Sequence, residues 1–378
     1  MSKKRSGRTS PPQRRRQRAR ATNYRSLDSG ITIPSPKEIV EHLDDIVVGQ
    51  HEAKKRLSVG VVNRYKRLAF NEGLYFEEMD DLADVNIEKS NILLLGPTGS
   101  GKTFLAKSLA EKLEVPFVIA DATSLTESGY VGEDVENVLR SLLIAADCEV
   151  DQAERGIIYI DEIDKLRKSG GNLSITRDVS GEGVQQALLK MFEGTVSNVH
   201  MSGDRKHPED DGIQIDTTNI LFICGGAFVG LEEIVTQRLK RKSKPDGLYS
   251  EITAHDLIRF GLIPEFVGRL PVVAGLSSLS LSELLSILTK PRDAVLKQYR
   301  KLCRFDGIDL DFTQDAQREL AERALLLGTG ARGLRSVVES VMTDLMYDLC
   351  AKESGRYRIN AAVVQGNANP RKISRAVV

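Results

Sequence analysis

The chain is expected to be an α/β protein, with a parallel sheet sandwiched by helices and, after it, a small, mainly helical C-terminal domain. Apolar runs recur at residues 91–95, 117–121, 156–160 and 220–224 with helical patterns between them, and strands alternating with helices argue for a parallel sheet wound on both faces. The first run opens onto a glycine-rich loop and a helix, the arrangement that places a helix N-terminus against an anion. Past Pro271 the pattern turns helical, with one short strand.

A length of 378 residues fits two or three domains. The first twenty residues hold nine Lys or Arg and no acid, so with zero net charge the remainder stands at about −9. This tail, with Pro11-Pro12 and hardly any apolar side chains, cannot bury enough surface to offset chain entropy and is expected to be disordered. It reads as a solvated arm, as a weak nucleic-acid contact, or as an Arg-rich mitochondrial presequence, the last lacking the Leu or Phe of an apolar face.

Pro34-Ser35-Pro36 leads into a helical pattern over Lys37–Leu43. Val47-Val48-Gly49-Gln50 interrupts it, and a longer helix runs through Leu68. Residues 71–88 form an acidic, poorly periodic insertion before the strand Ile92–Leu95. In the C-terminal part, Leu281–Arg300, Asp315–Leu327 and Leu334–Leu349 read as helices and Ile308–Phe312 as a strand.

Gly96-Pro97-Thr98-Gly99-Ser100-Gly101-Lys102-Thr103 is a phosphate-binding loop. Its glycines turn backbone N–H groups inward around a nucleoside triphosphate, Lys102 reaches the β/γ oxygens, and the Thr103 hydroxyl holds Mg²⁺. Phe104 begins the following helix. Ile157-Ile158-Tyr159-Ile160-Asp161-Glu162 supplies the second half: a buried strand with acids at its C-terminal end, where open α/β sheets bind ligands. There Asp161 would hold Mg²⁺ with Thr103, and Glu162 would polarise the attacking water; the alternative is a helix N-cap and a first-turn acid. Asp164 and Lys165 read as capping residues. Arg269 lies just before the domain junction and Arg332 at a helix start; either is a candidate for the γ-phosphate, or else a surface or salt-bridge residue.

No apolar stretch approaches the roughly 20 residues that span a bilayer, and no signal-peptide core is present. Cys148, Cys224, Cys303 and Cys350 include no C-x-x-C pair and read as reduced, buried thiols of an intracellular, cytoplasmic protein, with neither zinc site nor disulfide framework.

Taken with the strings from Ser174 to Gln186, Gly268 to Pro271 and Gly330 to Arg335, these motifs resemble the ClpX family, hexameric AAA+ unfoldases that feed proteins to the ClpP peptidase. The similarity covers roughly residues 36–360. It implies an AAA+ P-loop ATPase with ATP and Mg²⁺ as cofactors, a homohexamer, and unfolded or tagged proteins as substrates. The implied domains are a basic tail (1–30), a large ATPase domain (31–275), a small helical domain (276–365) and a C-terminal tail (366–378). Val47 and Val48 would contact adenine, Arg269 would reach a neighbouring subunit's ATP, and Arg332 would sense the γ-phosphate. A further sensor is expected at the end of the strand Ile220–Cys224.

The resemblance also assigns substrate-gripping loops. Tyr130-Val131-Gly132 matches the aromatic pore loop, Ser174–Gly181 with Arg177 the second, and Arg205-Lys206-His207 the basic loop at the pore entrance. A ring between glycines, flanked by Glu127 and Glu133, suits a loop that packs on any passing chain. Read alone, Tyr130 is a surface turn tyrosine and Arg205–His207 a solvated loop.

Two departures stand out. The family's N-terminal zinc module of paired cysteines is replaced here by the basic tail. Between Val235 and Leu257 the family carries an apolar-Gly-Phe tripeptide that docks into the peptidase; here the stretch is basic, and Gly247-Leu248-Tyr249 is a poor substitute. The sequence therefore admits partnership with a ClpP-like peptidase or a stand-alone remodeller. The Arg-rich tail and basic 238–244 stretch also admit a DNA-associated motor ATPase.

Overall fold

A computed structural model describes residues 34–71, 82, 85–126, 133–167, 181–201, 212–240, 248–349 and 353–373 of the chain. Ile92, Leu93, Leu94 and Leu95 are each fully buried, because this run (β1) is paired on both sides within a five-stranded parallel sheet. The other core strands are β2 (Phe117–Asp121), β3 (Ile157–Asp161), β4 (Leu221–Gly226) and β5 (Val272–Gly275), in the order β2-β3-β4-β1-β5. β3 and β4 are continuous apolar runs, as strands covered on both faces must be, whereas the edge strand β2 is half-exposed. The four expected strands are all present. β5 is a fifth: it lies directly after Pro271, where the sequence reading placed the turn to helical structure, and it pairs with β1 from Ile92–Val272 to Leu95–Gly275.

Because the strands are parallel, the ends of β1, β3 and β4 lie along one edge of the sheet, and this edge carries the phosphate loop. Two buried arginines and a partly buried lysine satisfy backbone carbonyls at the opposite edge. Arg64 donates to Asn219 O, Arg155 O and Gly156 O, Arg67 to Thr218 O, and Lys89 to Thr217 O at 2.7 Å with its amine over the Phe222 ring. Arg64 and Arg67 come from the helix His51–Asn71, which packs on β5 with Gly60 against the side chains of Ile92 and Val272.

The helix Pro36–Ile46 opens with a capping box, Ser35 Oγ accepting from Glu38 N and Glu38 Oε2 from Ser35 N. Lys54, almost fully buried, donates to Asp44 Oδ1 at 2.6 Å and to Val47 O, fixing the segment between the first two helices. The Gln50 amide bonds both the N–H and the C=O of Ser277, each at 2.9 Å, so this segment is fastened to the chain just beyond β5.

Beyond Ser277 a separate apolar core forms from Leu279 to Val364, distinct from the one spanning Leu93–Leu270. Its helices are Leu281–Thr289, Val295–Phe305, Gln314–Leu326 and Gly330–Leu349. The single helix expected over Leu281–Arg300 is broken: Pro291 removes an amide donor, and the chain turns before restarting at Val295. Ile308–Phe312 is a strand as expected, but it belongs to a three-stranded sheet. Gly355–Ile359 pairs with it in parallel, and Arg371–Ile373, in the segment read as the C-terminal tail, adds an antiparallel third strand. Among the described residues no helix is long and apolar enough to cross a membrane.

Candidate nucleotide-binding site

The loop after β1 is shaped by its glycines. Gly99 has φ +76°, and a Cβ there would lie 2.0 Å from Thr329 O, so only glycine fits. Gly101, at φ +102°, caps the helix Lys102–Leu113, whose first residues bear the functional side chains at its positive end. Lys102 is buried; its amine donates to Gly96 O at 2.7 Å and Pro97 O at 3.2 Å. Burial pushes its pKa down, the Asp161 and Asp164 carboxylates oppose this, and Arg332 adds to it.

Thr103 Oγ1 donates to Asp161 Oδ2 at 2.9 Å, joining the loop to the end of β3. The Tyr159 hydroxyl donates to Asp161 Oδ1 at 3.2 Å, and burial, reinforced by the Asp161 charge, raises its pKa so that it stays protonated. Glu162 follows at φ +57°, exposed, at the start of the short 3₁₀ turn Ile163–Leu166, and its side chain makes no capping bond. Asp164, read from sequence as a cap, is instead buried and accepts from Ala227 N at 3.1 Å, tying the end of β3 to the chain leaving β4. β4 itself ends in Gly225-Gly226, so it presents backbone at the strand end where the further sensor was expected.

These groups open into a cleft of about 1030 Å³. Thr98–Phe104, Asp161 and Glu162 line one part of it, and Val47 and Val48 another. Arg332 enters from the first turn of Gly330–Leu349, and Ala331 N donates to Gly99 O at 3.0 Å, so the small domain touches the phosphate loop directly. The sequence reading missed the apolar wall of Ile46, Leu279, Ile287 and Val295 facing the Val47-Val48 segment. They come from separate elements, and nothing in the sequence brings residues so far apart to one cavity. It also missed Tyr159, whose signal was a lone hydroxyl in an otherwise apolar strand.

Arg269 is not part of this cleft. Its backbone carbonyl accepts from the Asn91 side chain at 3.1 Å, at the start of β1 and thus at the far end of the strand from the phosphate loop. Its guanidinium, about half exposed, pairs with Glu193 at 2.8 Å. Tyr130, Val131, Gly132, Arg177, Arg205, Lys206 and His207 lie outside the described residues.

A hydroxyl and a carboxylate within 2.9 Å of each other, beside a lysine and a loop of backbone amides, are the hard oxygen donors that Mg²⁺ takes with a nucleotide. The arrangement can hold the phosphates of a nucleotide, with a second carboxylate, Glu162, next to the Thr103–Asp161 pair.

Residues 87–273 match the AAA domain (Cdc48 subfamily), and residues 279–362 match the C-terminal, D2-small domain of ClpB protein. The ATP-dependent Clp protease ATP-binding subunit ClpX of Treponema denticola is 52% identical over 337 residues, covering 86% of this chain and 79% of its own. The proteins of the same name from Borrelia duttonii and Borrelia recurrentis are each 52% identical over 328 residues, covering 84% of this chain and 75% of their own. A phosphate loop joined to the Thr103–Asp161 pair, an α/β sheet with a small helical domain behind it, and likeness of this extent over both domains agree: the chain belongs to the ClpX family of AAA+ proteins, ATP-dependent unfoldases that are ATPases and not themselves peptidases.

Proposed function

We propose that six copies of this chain form a ring in which each nucleotide cleft is completed by Arg269 of the adjacent copy, and that hydrolysis there threads polypeptides through a central pore. The position of Arg269 carries the reading. At the far end of β1 it is remote from its own cleft, and its half-exposed guanidinium can exchange Glu193 for a neighbour's phosphate. A head-to-tail contact of that kind closes into a ring when its rotation divides a full turn.

Within one cleft the division of labour follows the geometry. The loop Gly96–Thr103 wraps the phosphates, and Lys102 balances the β/γ charge. Thr103 and Asp161 hold Mg²⁺, which neutralises charge on the phosphates when bound. Glu162 orients and polarises the water, Arg332 meets the γ-phosphate, and Val47 and Val48 pack on the base. Phosphoryl transfer is mostly positioning and charge stabilisation, so these roles suffice for turnover. We assign residues 31–275 to the large domain and 276–365 to the small one, and substrate contact to Tyr130-Val131-Gly132, Arg177 and Arg205-Lys206-His207. Substrates are unfolded or tagged polypeptides, handled in the cytoplasm.

The relatives are named as subunits of a Clp protease. For this chain a specific observation favours a second reading, a remodeller without a peptidase. Leu248, in the only approximation to a docking tripeptide, is 3% exposed and packed in the large core, and the Tyr249 hydroxyl donates to Glu232 at 2.8 Å. Neither side chain is free to enter a partner's pocket.

Complementation tests the ring. Arg269→Ala and Glu162→Gln subunits should each be inactive alone. On equal mixing, roughly a quarter of the interfaces pair an intact Glu162 with an intact neighbouring Arg269, and ATPase activity should return. Mixtures that stay inactive would show that Arg269 does not act across an interface.

A further inference from the structure

Residues two apart on a strand share a face, so Tyr159 and Asp161 project from β3 to the same side. The ring of Tyr159 is fully buried, and its hydroxyl reaches past the strand to two groups. It donates to Asp161 Oδ1 at 3.2 Å and lies 3.4 Å from Thr103 Oγ1. Asp161 Oδ1 also accepts from Glu162 N at 3.0 Å. One oxygen of the carboxylate is therefore held by two donors, which fixes rotation about its terminal bond. The other oxygen, Oδ2, is left facing Thr103 at 2.9 Å.

Space for the hydroxyl comes from the neighbouring strand. A Cβ on Gly225 of β4 would lie 2.0 Å from the Tyr159 oxygen and 2.6 Å from the ring carbon that bears it. The end of β4 is thus a notch into which a hydroxyl from β3 fits.

We propose that Tyr159 is a positioning residue for the divalent metal that accompanies the nucleotide. Its hydroxyl locks Asp161 so that Oδ2 and Thr103 Oγ1 are presented together, and Gly225 is kept small to admit it. The proposal rests on the metal reading given above for Thr103 and Asp161. Groups that orient a ligand from behind commonly set metal affinity by 10–100-fold, which gives the scale of the effect.

The test is binding of a fluorescent ADP analogue, titrated first in EDTA and then with increasing Mg²⁺. Tyr159→Phe should leave affinity in EDTA unchanged within about twofold while raising the Mg²⁺ concentration for half-maximal enhancement by about tenfold. A merely structural role would weaken both titrations together, and that outcome, or an unchanged Mg²⁺ midpoint, overturns the proposal. Gly225→Ala, which displaces the hydroxyl while leaving Tyr159 in place, should reproduce the Mg²⁺ shift and carries the test if the phenylalanine variant does not fold. Asp161→Asn separates the two readings. If it shifts the midpoint and Tyr159→Phe does not, the positioning role fails and the metal site stands. If neither shifts it, both fail.

Discussion

Lys89, at the back of the sheet, ties stability to pH. Burial, then the nearby Arg67 and Arg64 guanidiniums, push its pKa from the ordinary 10.5 down to about 7, with Asp216 opposing weakly. A base with a depressed folded-state pKa binds fewer protons folded than unfolded between those two values, so its contribution to stability rises with pH from about 7 toward 10.5. Denaturant midpoints of the wild type should therefore gain on those of Lys89→Met between pH 7 and pH 10. A constant difference across that range would mean that the amine stays charged throughout. At this scale the sequence was most informative where functional residues are contiguous. Gly96–Thr103 and Asp161-Glu162 could be read directly, because one turn or one strand end supplies all their neighbours. Tyr159 could not, since its meaning depends on Thr103 and Gly225, which only the folded sheet brings beside it.

Among the elements, the helix His51–Asn71 carries a glycine in its middle that helix propensity alone disfavours by about 1 kcal/mol relative to alanine. Packing explains it. A Cβ on Gly60 would already lie 3.3 Å from Ile92 and 3.4 Å from Val272, the side chains of β1 and β5 beneath. Gly60→Val should overpack this contact and lower stability by about 1–3 kcal/mol, read as a shift in denaturant midpoint with nucleotide absent. The same interface explains what the sequence reading lost. β5 is only four residues long and follows a proline, so its apolar character reads equally well as the start of the next domain; what makes it a strand is β1 beside it. The division at Pro291 was legible in principle, because proline there breaks a helix whatever the flanking periodicity. In the small domain the strands Gly355–Ile359 and Arg371–Ile373 lay beyond reach for the reason that hid β5: short segments acquire their identity from partners.

For the whole molecule, the shared cleft proposed from the placement of Arg269 would make activity a property of assembly. Turnover per subunit should fall as the protein is diluted through its assembly range, in step with sedimentation coefficients, and recover on concentration. Turnover independent of concentration in a sample that sediments as a monomer would remove the shared cleft. Addition of DNA should leave the rate unchanged; stimulation lost with rising salt would instead favour the nucleic-acid motor that the basic tail allows.

The bond between Ala331 N and Gly99 O has a genetic corollary. Both of its atoms are main-chain, so changing the side chain at residue 331 passes over it, whereas residue 99 is held to glycine because a Cβ there would meet Thr329 O. Proline at residue 331 alone deletes the hydrogen, and it does so in the first turn of a helix, where proline is otherwise tolerated. A contact between the two domains is thereby written in the polypeptide backbone, and on the side of residue 331 it is out of sight of side-chain mutagenesis.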